Sequence, residues 1–482
     1  MPLPDPAEIC LGLAAFQAVA HLAAGITGQY RPDHAVMRRL SAGLALSGFG
    51  VATGAVIAAA LGADVHALGF RLDGMGAALL ALVMIVGGAV LRFSVNYLEG
   101  DPRHAAFLAG LHLTLVTVVA FVLSATLWTF ALAWVAMSLA LHRLLVFYPD
   151  RPGARLAAAK KFGLARLSDA ALLSAFGLLY HATGTDDIAG IVARTHGAGA
   201  DVSVAAAAVL LVVAALLKSA QFPAHGWLVE VMETPTPVSA LLHAGVVNAG
   251  GVLLLRFAGV LTSNSAAPWL LAAVALVSVA VGSLAMMTQT SVKAALAWST
   301  VAQMGFMLLQ CALGAFGAAL FHILAHAAYK ANAFLSAGTV RDATGTGLGR
   351  AAPWRALAAA AVVALGLAGG GYLPAGGLVT FLAGMGVLVQ LDLRRPATAI
   401  AALAIVGGLA FCGHFAAAGL LSEGAAAASP ALAVLAIGSM TLLCGLQVLA
   451  RAMPQSPPVA ALQVHLRNGF YINTWLNRSA RP

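Results

Sequence analysis

The sequence predicts an all-α protein that crosses a membrane many times. Of its 482 residues, 61% are hydrophobic and only 9% are charged, whereas soluble globular chains carry about 25% charged residues. Apolar runs recur from Ala7 to Ala450, each near the ~20 residues that a helix needs to cross a bilayer. Continuous apolar runs argue against a β-barrel, whose strands alternate apolar and polar residues. Because backbone groups in lipid must be hydrogen-bonded within each segment, a helical bundle follows.

Apolar windows predict about 13–15 transmembrane helices along the chain. The windows are 7–27, 40–63, 74–95, 104–124, 126–148, 162–182, 201–222, 236–261, 268–287, 292–313, 315–340, 354–373, 376–392, 396–420 and 430–450. The first apolar run has no basic segment before it and is followed by another membrane segment, so we interpret it as a helix rather than a cleaved signal. The polar stretch TGTDDIAGIVARTHGAGAD predicts the longest interior loop.

Residues 1–450 are predicted to form one transmembrane domain, and residues 451–482 an interfacial tail that could contact a partner. The tail contains LQVHLRNGFYINTWLNRSARP, which has aromatic and basic residues but too few apolar ones to span a bilayer. The formal net charge of +9 fits basic loops at the cytoplasmic side of a multi-pass inner-membrane protein. Two such loops are predicted, one with Arg31, Arg38 and Arg39 and one with Arg151, Arg155, Lys160 and Lys161.

Three of the five lysines lie in or beside apolar windows: Lys218, Lys293 and Lys330. Ionisable residues inside membrane spans cost about 2.5–3.5 kcal/mol each on insertion scales and are functional by default. Lys218 opens the segment KSAQFPAHGWLVEVMETPTPVSALLHAG, in which Pro223 removes a backbone donor and predicts a helix break. Broken membrane helices are tolerated where they line a cavity or are buried in protein. The alternative is that Lys218 extends to the interface, as long cations near helix ends do.

The same segment continues with Glu230 and Glu233, and the helix that restarts at Pro235 carries His243 about two turns later. A carboxylate opposes the loss of charge of a poorly solvated lysine. A Lys218–Glu233 pair could therefore hold or release a proton according to its separation, which is the property that an ion pump needs.

A second constellation lies in FHILAHAAYKANAFLSAG, where His322, His326 and Lys330 are spaced four residues apart and share one helix face. Protonatable groups in a stripe are what a proton relay needs. Helix–helix hydrogen bonding by histidine is the alternative. A metal site is disfavoured because no H-E-x-x-H motif or nearby cysteine is present. Lys293 begins another apolar helix, where it could also be an interfacial anchor.

These segments resemble the proton-conducting antiporter-like membrane subunits of respiratory complex I, of multi-subunit cation/proton antiporters and of membrane-bound hydrogenases. Further similar segments are RFSVNYLEGDPRHAAFL, AAAKKFGLARLSDAALL with Arg166 and Asp169 at the family's Arg and Asp, QTSVKAALAWSTVAQMGFM and HILAHAAYKANAFLSAG. The similar span runs from about Asp73 to Gly338. The resemblance implies two inverted five-helix repeats with broken helices and a polar axis at mid-membrane.

The resemblance also implies an ion pathway, with no catalytic, cofactor or metal residues in this chain. Its residues would be Lys218, Glu233, His243, Lys293, His322, His326 and Lys330. The chain departs from the family pattern at Val135, where the family has the Glu that pairs with the central lysine, and at Ser291, where it has an Asp. The late GFxSKE lysine has no counterpart. His142, about two turns after Val135, is one candidate replacement for the missing Glu.

These departures, with LALHRLLVFYP and QVHLRNGFYINTWLNR, are most similar to the membrane subunit of the DAB inorganic-carbon system. That resemblance implies a large zinc-binding, β-carbonic-anhydrase-like (DabA-type) partner, and H⁺ or Na⁺ flow that drives hydration of CO₂ to bicarbonate. Zinc and catalysis are expected in the partner, and this chain is expected not to be an enzyme. Two alternatives stay open. One is a subunit of a redox-driven pump or cation/proton antiporter, and the other is a non-conducting scaffold.

Overall fold

The fold is that of a helical membrane protein. The structure is a computed structural model, and it describes residues 6–30, 32–195, 201–338, 420–421, 429–453 and 456–479. Within these residues, ten helices are long and apolar enough to cross a membrane, which confirms the predicted class. The predicted helices 354–373, 376–392 and 396–420 lie, apart from residue 420, outside the described residues.

The described residues form eighteen α-helices, numbered in chain order. They are α1 (Pro6–Tyr30), α2 (His34–Ala60), α3 (Gly74–Tyr97), α4 (His104–Leu123), α5 (Leu127–Leu145), α6 (Pro152–Thr183), α7 (Ile188–Thr195), α8 (Val202–Lys218), α9 (Gly226–Glu230), α10 (Thr236–Ala244), α11 (Ala249–Arg256), α12 (Ala258–Leu261), α13 (Ala266–Met286), α14 (Val292–Ala312), α15 (Phe316–Leu335), α16 (Pro430–Ala452), α17 (Pro457–Arg467) and α18 (Ile472–Ser479). Short 3-10 turns cover Val231–Glu233, Val246–Asn248 and Gly469–Tyr471.

The described chain forms two compact units. The first contains the described residues up to 220, with 224–264 and 323–338, and the second contains 221–223, 265–322 and the described residues from 420 onward. In the first unit α1 packs on α2 and α4, α2 on α3, α4 on α5, and α6 on α8. The outer faces of α1 and α2 expose large apolar side chains such as Phe16 and Leu46, as expected for helices that face lipid.

Two features of the first unit differ from the sequence prediction. A β-hairpin, β1 (Val65–Ala67) paired antiparallel with β2 (Phe70–Leu72), lies between α2 and α3. Its turn uses Leu68 and Gly69, both with positive φ. The predicted interior loop also contains the helix α7. Strands of three residues and a two-turn helix are too short to give a periodic signal.

Helix α6 begins at Pro152, ten residues before the predicted start. Proline is favoured at the first helical position, where its missing N–H is not needed. The hydropathy window missed this start because Lys160 and Lys161 interrupt the apolar run. The predicted loop position of these two lysines is therefore wrong, since both lie within a membrane-spanning helix.

Basic residues gather at one end of the first unit, where α2, α4 and α6 begin and α3 and α5 end. Arg38 of α2 pairs with Glu99 after α3 at 2.7 Å. Arg103 donates to the carbonyl of Phe147 at 2.9 Å, and its guanidinium lies 5.0 Å from the centroid of the Tyr148 ring. Both predicted basic clusters contribute to this end, which is the pattern expected of a cytoplasmic face.

The second unit is built on α13 and α14, which follow one another with a short connection and pack side by side. At Gly282 of α13 the helices approach so closely that a side chain would meet the backbone of Trp298 and Ala302. Helix α13 also packs on α16 and α17. The tail helices α17 and α18 have eleven and eight residues, too few to span a bilayer.

Candidate functional site

The predicted break after Lys218 is present in the structure. Helix α8 ends at Lys218, the next regular helix begins at Gly226, and Ala220 between them has a positive φ. Pro223 cannot donate a backbone hydrogen bond, so the helix cannot continue through it. The Lys218 side chain is buried, with 7% of its surface exposed. It does not extend to an interface, so the snorkelling alternative does not describe this lysine.

Lys218 is held by the backbone and ring of one residue of α5. Its Nζ donates to the carbonyl oxygen of Trp134 at 3.2 Å and lies 4.1 Å from the centroid of the Trp134 ring. Trp134 itself is fully buried. A cation over a desolvated indole face is stabilised by about 2 kcal/mol.

The carboxylate that acts electrostatically on Lys218 is Asp169 of α6. Asp169 is 5% exposed and pairs with Arg166 at 2.7 Å. The residue before it, Ser168, donates to the carbonyl of Ala214 at 2.9 Å. Because Ala214 lies one helical turn before Lys218, this bond fixes the register of α6 against α8 and keeps the two charges within electrostatic range.

Lys161 is a second buried lysine of the same cluster. It is 5% exposed, and its Nζ donates to the carbonyl oxygen of Ser138 at 2.5 Å and to the Ser138 hydroxyl at 2.9 Å. Its charge also acts on Lys218. Lys161, Arg166 and Lys218 thus share one buried carboxylate within this cluster. The cluster therefore holds three cations and one carboxylate, and these charges interact at close range in a poorly solvated site.

The structure does not form the Lys218–Glu233 pair considered from the sequence. Glu233 is exposed, and its carbonyl oxygen accepts a hydrogen bond from Arg151 at 2.5 Å. Glu230 pairs instead with Lys160 at 2.6 Å. Helix α9 and the turn after it pack on α6, and this explains why Glu230 and Glu233 meet Lys160 and Arg151 rather than Lys218. A role for Glu233 in the ion pathway stays a prediction.

His142 does not take the place beside Lys218 that the family's glutamate at position 135 would have. Its ring packs 5.2 Å from the Phe162 ring, near the Lys161 end of the cluster. Asp169, rather than His142, supplies the charge opposite Lys218.

A second buried cluster lies around His243 at the end of α10. The His243 ring stacks on Phe334 of α15, with centroids 4.4 Å apart and planes 20° from parallel. His326 Nε2 lies 3.2 Å from the His243 carbonyl oxygen, and Lys330 interacts electrostatically with His243. Lys330 is fully buried and His326 is 4% exposed. The predicted four-residue spacing therefore brings His326 and Lys330 to one face, directed at α10.

Helix α10 stops at Ala244 because Gly245 takes non-helical angles of φ −120° and ψ −75°. A 3-10 turn then connects it to α11. The carbonyl oxygens at the end of α10 lose their helical partners. One of them, that of His243, is the group that meets His326. The helix break and the histidine contact thus belong to one local arrangement.

Two predicted residues belong to the second unit. Lys293 is the second residue of α14, after the cap residue Ser291, and its side chain is half-buried. This placement favours the interfacial-anchor alternative. His322 begins the stripe on α15, and its ring lies 5.6 Å from the Phe306 ring.

Two protein-family models match parts of the sequence. A model described as NADH:quinone oxidoreductase/Mrp antiporter, TM, matches residues 124–361. Another, described as NADH-ubiquinone oxidoreductase (complex I), chain 5 N-terminus, matches residues 63–108. The chain belongs to this family of antiporter-like membrane subunits. The broken helices, the buried lysines and Asp169 lie within the first matched range.

Within the family, the chain is 46% identical over 282 residues to the "probable inorganic carbon transporter subunit DabB2" of Halothiobacillus neapolitanus, covering 58% of this chain and 51% of the relative. It is 34% identical over 278 residues to "NADH-quinone oxidoreductase subunit L" of Escherichia coli, covering 57% and 45%. The chain spans about half the length of the curated relatives it matches. These relatives are transport or antiporter-like subunits, in line with the predicted non-enzymatic role.

The solved structures agree in fold. A chain of the Mrp complex from Dietzia sp. superimposes with a TM-score of 0.63 at 24% identity, covering 97% of this chain and 57% of that one. A chain of an archaeal membrane-bound sulfane sulfur reductase gives a TM-score of 0.62 at 18% identity. Both superpositions cover 97% of this chain.

Proposed function

We propose that the protein is the ion-conducting membrane subunit of an inorganic-carbon transport complex. Flow of H⁺ or Na⁺ through it would drive a zinc-binding, β-carbonic-anhydrase-like partner to hydrate CO₂ to bicarbonate. The observation that carries the proposal is the buried Lys218–Asp169 pair at a helix break, in a chain 46% identical to a subunit named as a probable inorganic carbon transporter.

The conduction half of the proposal is supported by two buried clusters in the first unit. Each cluster combines a broken helix with a lysine and a second ionisable group that interacts electrostatically with that lysine. These are Lys218 with Asp169, and Lys330 with His243. Buried ionisable residues in membrane segments mark ion pathways and proton relays. Each group would pass its proton on when its neighbour changes charge, because charges at close range shift one another's protonation.

The coupling half of the proposal is supported by the relatives, which are named as probable inorganic carbon transporter subunits and so belong to an assembly of more than one subunit. Hydration of CO₂ needs a nucleophile such as a zinc-bound hydroxide. In the proposed complex a separate subunit would bind the zinc, and this chain would conduct the ion.

The test is rescue of carbonic-anhydrase-deficient cells in ordinary air. We expect growth when the chain is expressed with a zinc-binding partner gene, and no growth with either gene alone. Lys218→Ala should abolish rescue while the partner still co-purifies. Arg155→Ala, which removes an exposed cation of α6, is the matched control and should grow normally.

Three outcomes would contradict the proposal. Normal growth of the Lys218→Ala cells would remove this lysine from the mechanism. Co-purification with quinone-reductase or hydrogenase subunits would indicate a redox-driven pump. Rescue without ion flux in proteoliposomes of the purified complex would indicate a scaffold.

A further inference from the structure

A third buried polar cluster lies on helices α1, α2 and α4, which contain no lysine. Gln17 and His21 are on α1, Ser41 is on α2 and His112 is on α4, and each is at most 2% exposed. All three helices are long and apolar enough to span the membrane. The cluster is therefore a third place in the first unit where ionisable side chains are enclosed by apolar helices.

The two imidazoles of this cluster are in direct contact. His21 Nδ1 and His112 Nδ1 are 2.7 Å apart, and the ring centroids are 4.9 Å apart. On its other side, His112 Nε2 lies 2.9 Å from the hydroxyl of Ser41. Two ring nitrogens at this distance share one proton, because one must donate and the other accept.

Gln17 determines which nitrogen donates. One end of its amide is 2.8 Å from the carbonyl oxygen of Leu44, which can only accept, so this end is the NH₂ group. The opposite end accepts from the hydroxyl of Ser47 at 2.9 Å. The same NH₂ group lies 3.3 Å from His21 Nε2, and that nitrogen must therefore be an acceptor.

The positions of the protons on the two imidazole rings follow from this assignment. With Nε2 accepting, neutral His21 carries its proton on Nδ1 and donates it to His112 Nδ1. His112 then carries its own proton on Nε2 and donates it to Ser41. Every contact of the two rings is satisfied with both rings neutral and with one tautomer each, and the protons of these contacts point from α1 (Gln17 and His21) to His112 on α4 and then to Ser41 on α2.

We propose that the His21–His112 pair is a further protonation site, separate from the two lysine clusters. The pair binds one excess proton, and the orientation of the Gln17 amide controls whether that proton is bound. The added proton would occupy His21 Nε2, and the charge of the pair would change from 0 to +1. The Nδ1–H···Nδ1 contact would then become a charge-assisted imidazolium–imidazole bond, which is stronger than its neutral counterpart.

Gln17 would have to rotate its amide by about 180° to accept from the protonated Nε2. This rotation turns the NH₂ group toward Ser47, whose hydroxyl can accept. It gives up the bond to Leu44, and that loss favours the neutral state. The Gln17 amide thus has two orientations, one when the histidine pair is neutral and the other when the pair carries the added proton.

A purely structural role is the competing explanation, since histidines in membrane helices also serve as hydrogen-bonding contacts between helices. Such contacts need no titratable group. The other titratable groups on the packed helices stand away from the pair, and its only charge interaction among the described residues is between the two rings. These other titratable groups are Glu8, Cys10 and Tyr30 on α1, His34, Arg38 and Arg39 on α2, Arg92 and Tyr97 on α3, His104 on α4, and His142 and Arg143 on α5.

The test is a ¹⁵N solid-state NMR titration of the imidazoles in the membrane-embedded full chain, between about pH 8 and pH 3, a range that extends below the ordinary titration of histidine because both rings are buried. We expect one imidazolium signal per chain that is lost in both His21→Asn and His112→Asn, because each ring needs the other to share the proton. His34→Asn, which removes an exposed histidine of α2, should keep this signal. Two rings that stay neutral over the whole range, or a remaining ring that titrates as in the parent, would overturn the proposal.

Two substitutions of Gln17 separate gating from packing. Gln17→Glu offers His21 a carboxylate acceptor, and an opposite charge at this range should raise the imidazolium-to-imidazole ratio at a fixed pH by about tenfold or more. Gln17→Leu has a similar volume but cannot accept, so it should lower that ratio. If both variants change only thermal stability and leave the ratio unchanged, the cluster is structural. None of these measurements depends on ion conduction or on a partner.

Discussion

The ammonium of Lys218 is enclosed by Trp134, with the ring centroid at 4.1 Å and the backbone carbonyl oxygen at 3.2 Å. Both contacts come from a neutral residue next to Val135, the position at which the family pattern has a glutamate. The counter-charge comes from a different helix, since Asp169 lies on α6. The lysine at the helix break therefore keeps a carboxylate partner in spite of the valine.

Replacing Asp169 by Asn tests this assignment. The variant keeps the volume and polarity of the side chain but removes its charge, so Lys218 loses the carboxylate that favours its protonated form. We expect ion flux in proteoliposomes of the purified complex to fall by about 100-fold, which corresponds to about 2.7 kcal/mol. Glu99→Gln, at an exposed carboxylate paired with Arg38, should have little effect.

A second-site substitution makes the test sharper. Val135 follows Trp134 on α5, so Val135→Glu should place a carboxylate close to Lys218. We expect the double variant Asp169→Asn, Val135→Glu to recover at least about a tenth of the parent flux, since charge rather than packing was lost. A double variant as inactive as Asp169→Asn alone would show that position 169, and not the charge, is what matters.

Lys161 is predicted to take part in conduction although it lies in a segment predicted as a loop. Lys161→Met keeps the length of the side chain but removes a buried cation that acts on Lys218. We expect ion flux to fall by about tenfold or more, because the repulsion that favours proton release from Lys218 is weakened. Arg155→Met, an exposed cation on the same helix, is the matched control. Equal fluxes in the two variants would exclude Lys161 from the pathway.

The sequence predicted the helix break after Lys218 and the alignment of His326 with Lys330, because proline chemistry and four-residue spacing are local properties. It did not predict Asp169 as the carboxylate that acts on Lys218, because that interaction depends on the register of α6 against α8, which Ser168 fixes. Lys161 was missed because hydropathy windows end at paired lysines, although Pro152 marked the true start of α6.

The histidine pair of α1 and α4 was not predicted from the sequence for a related reason. His21 and His112 are separated by 91 residues, and each is isolated in its own apolar helix. No local pattern links them, so only the packing of the helices reveals the site. The same holds for the contact between His326 and the His243 carbonyl, whose partner is a backbone atom at a helix end.

Substitutions of His326 separate proton transfer from hydrogen bonding. His326→Gln retains an N–H donor for the His243 carbonyl but cannot be protonated at neutral pH, whereas His326→Leu removes both functions. If His326 carries protons, both variants should lose about tenfold or more of the ion flux, and only His326→Leu should also lower the thermal stability of the complex. Parent-like flux in His326→Gln would assign His326 a structural role only.

Asp73 and Arg256 are predicted to stabilise the end of the first unit opposite the basic loops. Asp73 caps α3 by accepting from the Gly76 amide at 2.6 Å and pairs with Arg256, whose guanidinium also donates to the Val122 carbonyl. Asp73→Ala should lower the free energy of unfolding by about 3–5 kcal/mol, because it leaves the largely buried Arg256 charge without its carboxylate. Thermal unfolding in detergent measures this effect. Arg256→Met in the same background should restore part of the loss; an additive second loss would show that the two residues act independently.

The β-hairpin between α2 and α3 should open at acidic pH. Arg71 donates from Nε to Asp64 Oδ1 at 2.7 Å and from Nη2 to Oδ2 at 2.5 Å, and these bonds lower the pKa of Asp64. A carboxyl with a lowered pKa stabilises the folded state above its ordinary value of about 3.9 and loses that contribution as the pH falls through the lowered value. Because Asp64 is half-exposed, the effect should stay below about 1 kcal/mol.

Hydrogen exchange of the hairpin amides between about pH 5 and pH 2.5 is the measurement, after correction for the intrinsic pH dependence of exchange. We expect the protection of residues 65–72 to fall across this range in the parent and to stay at its reduced level in Asp64→Asn, which has no carboxylate to titrate. Amides of α4, which lie in the apolar interior of the first unit, provide the internal reference. A parallel loss of protection in Asp64→Asn would mean that another group controls the opening of the hairpin.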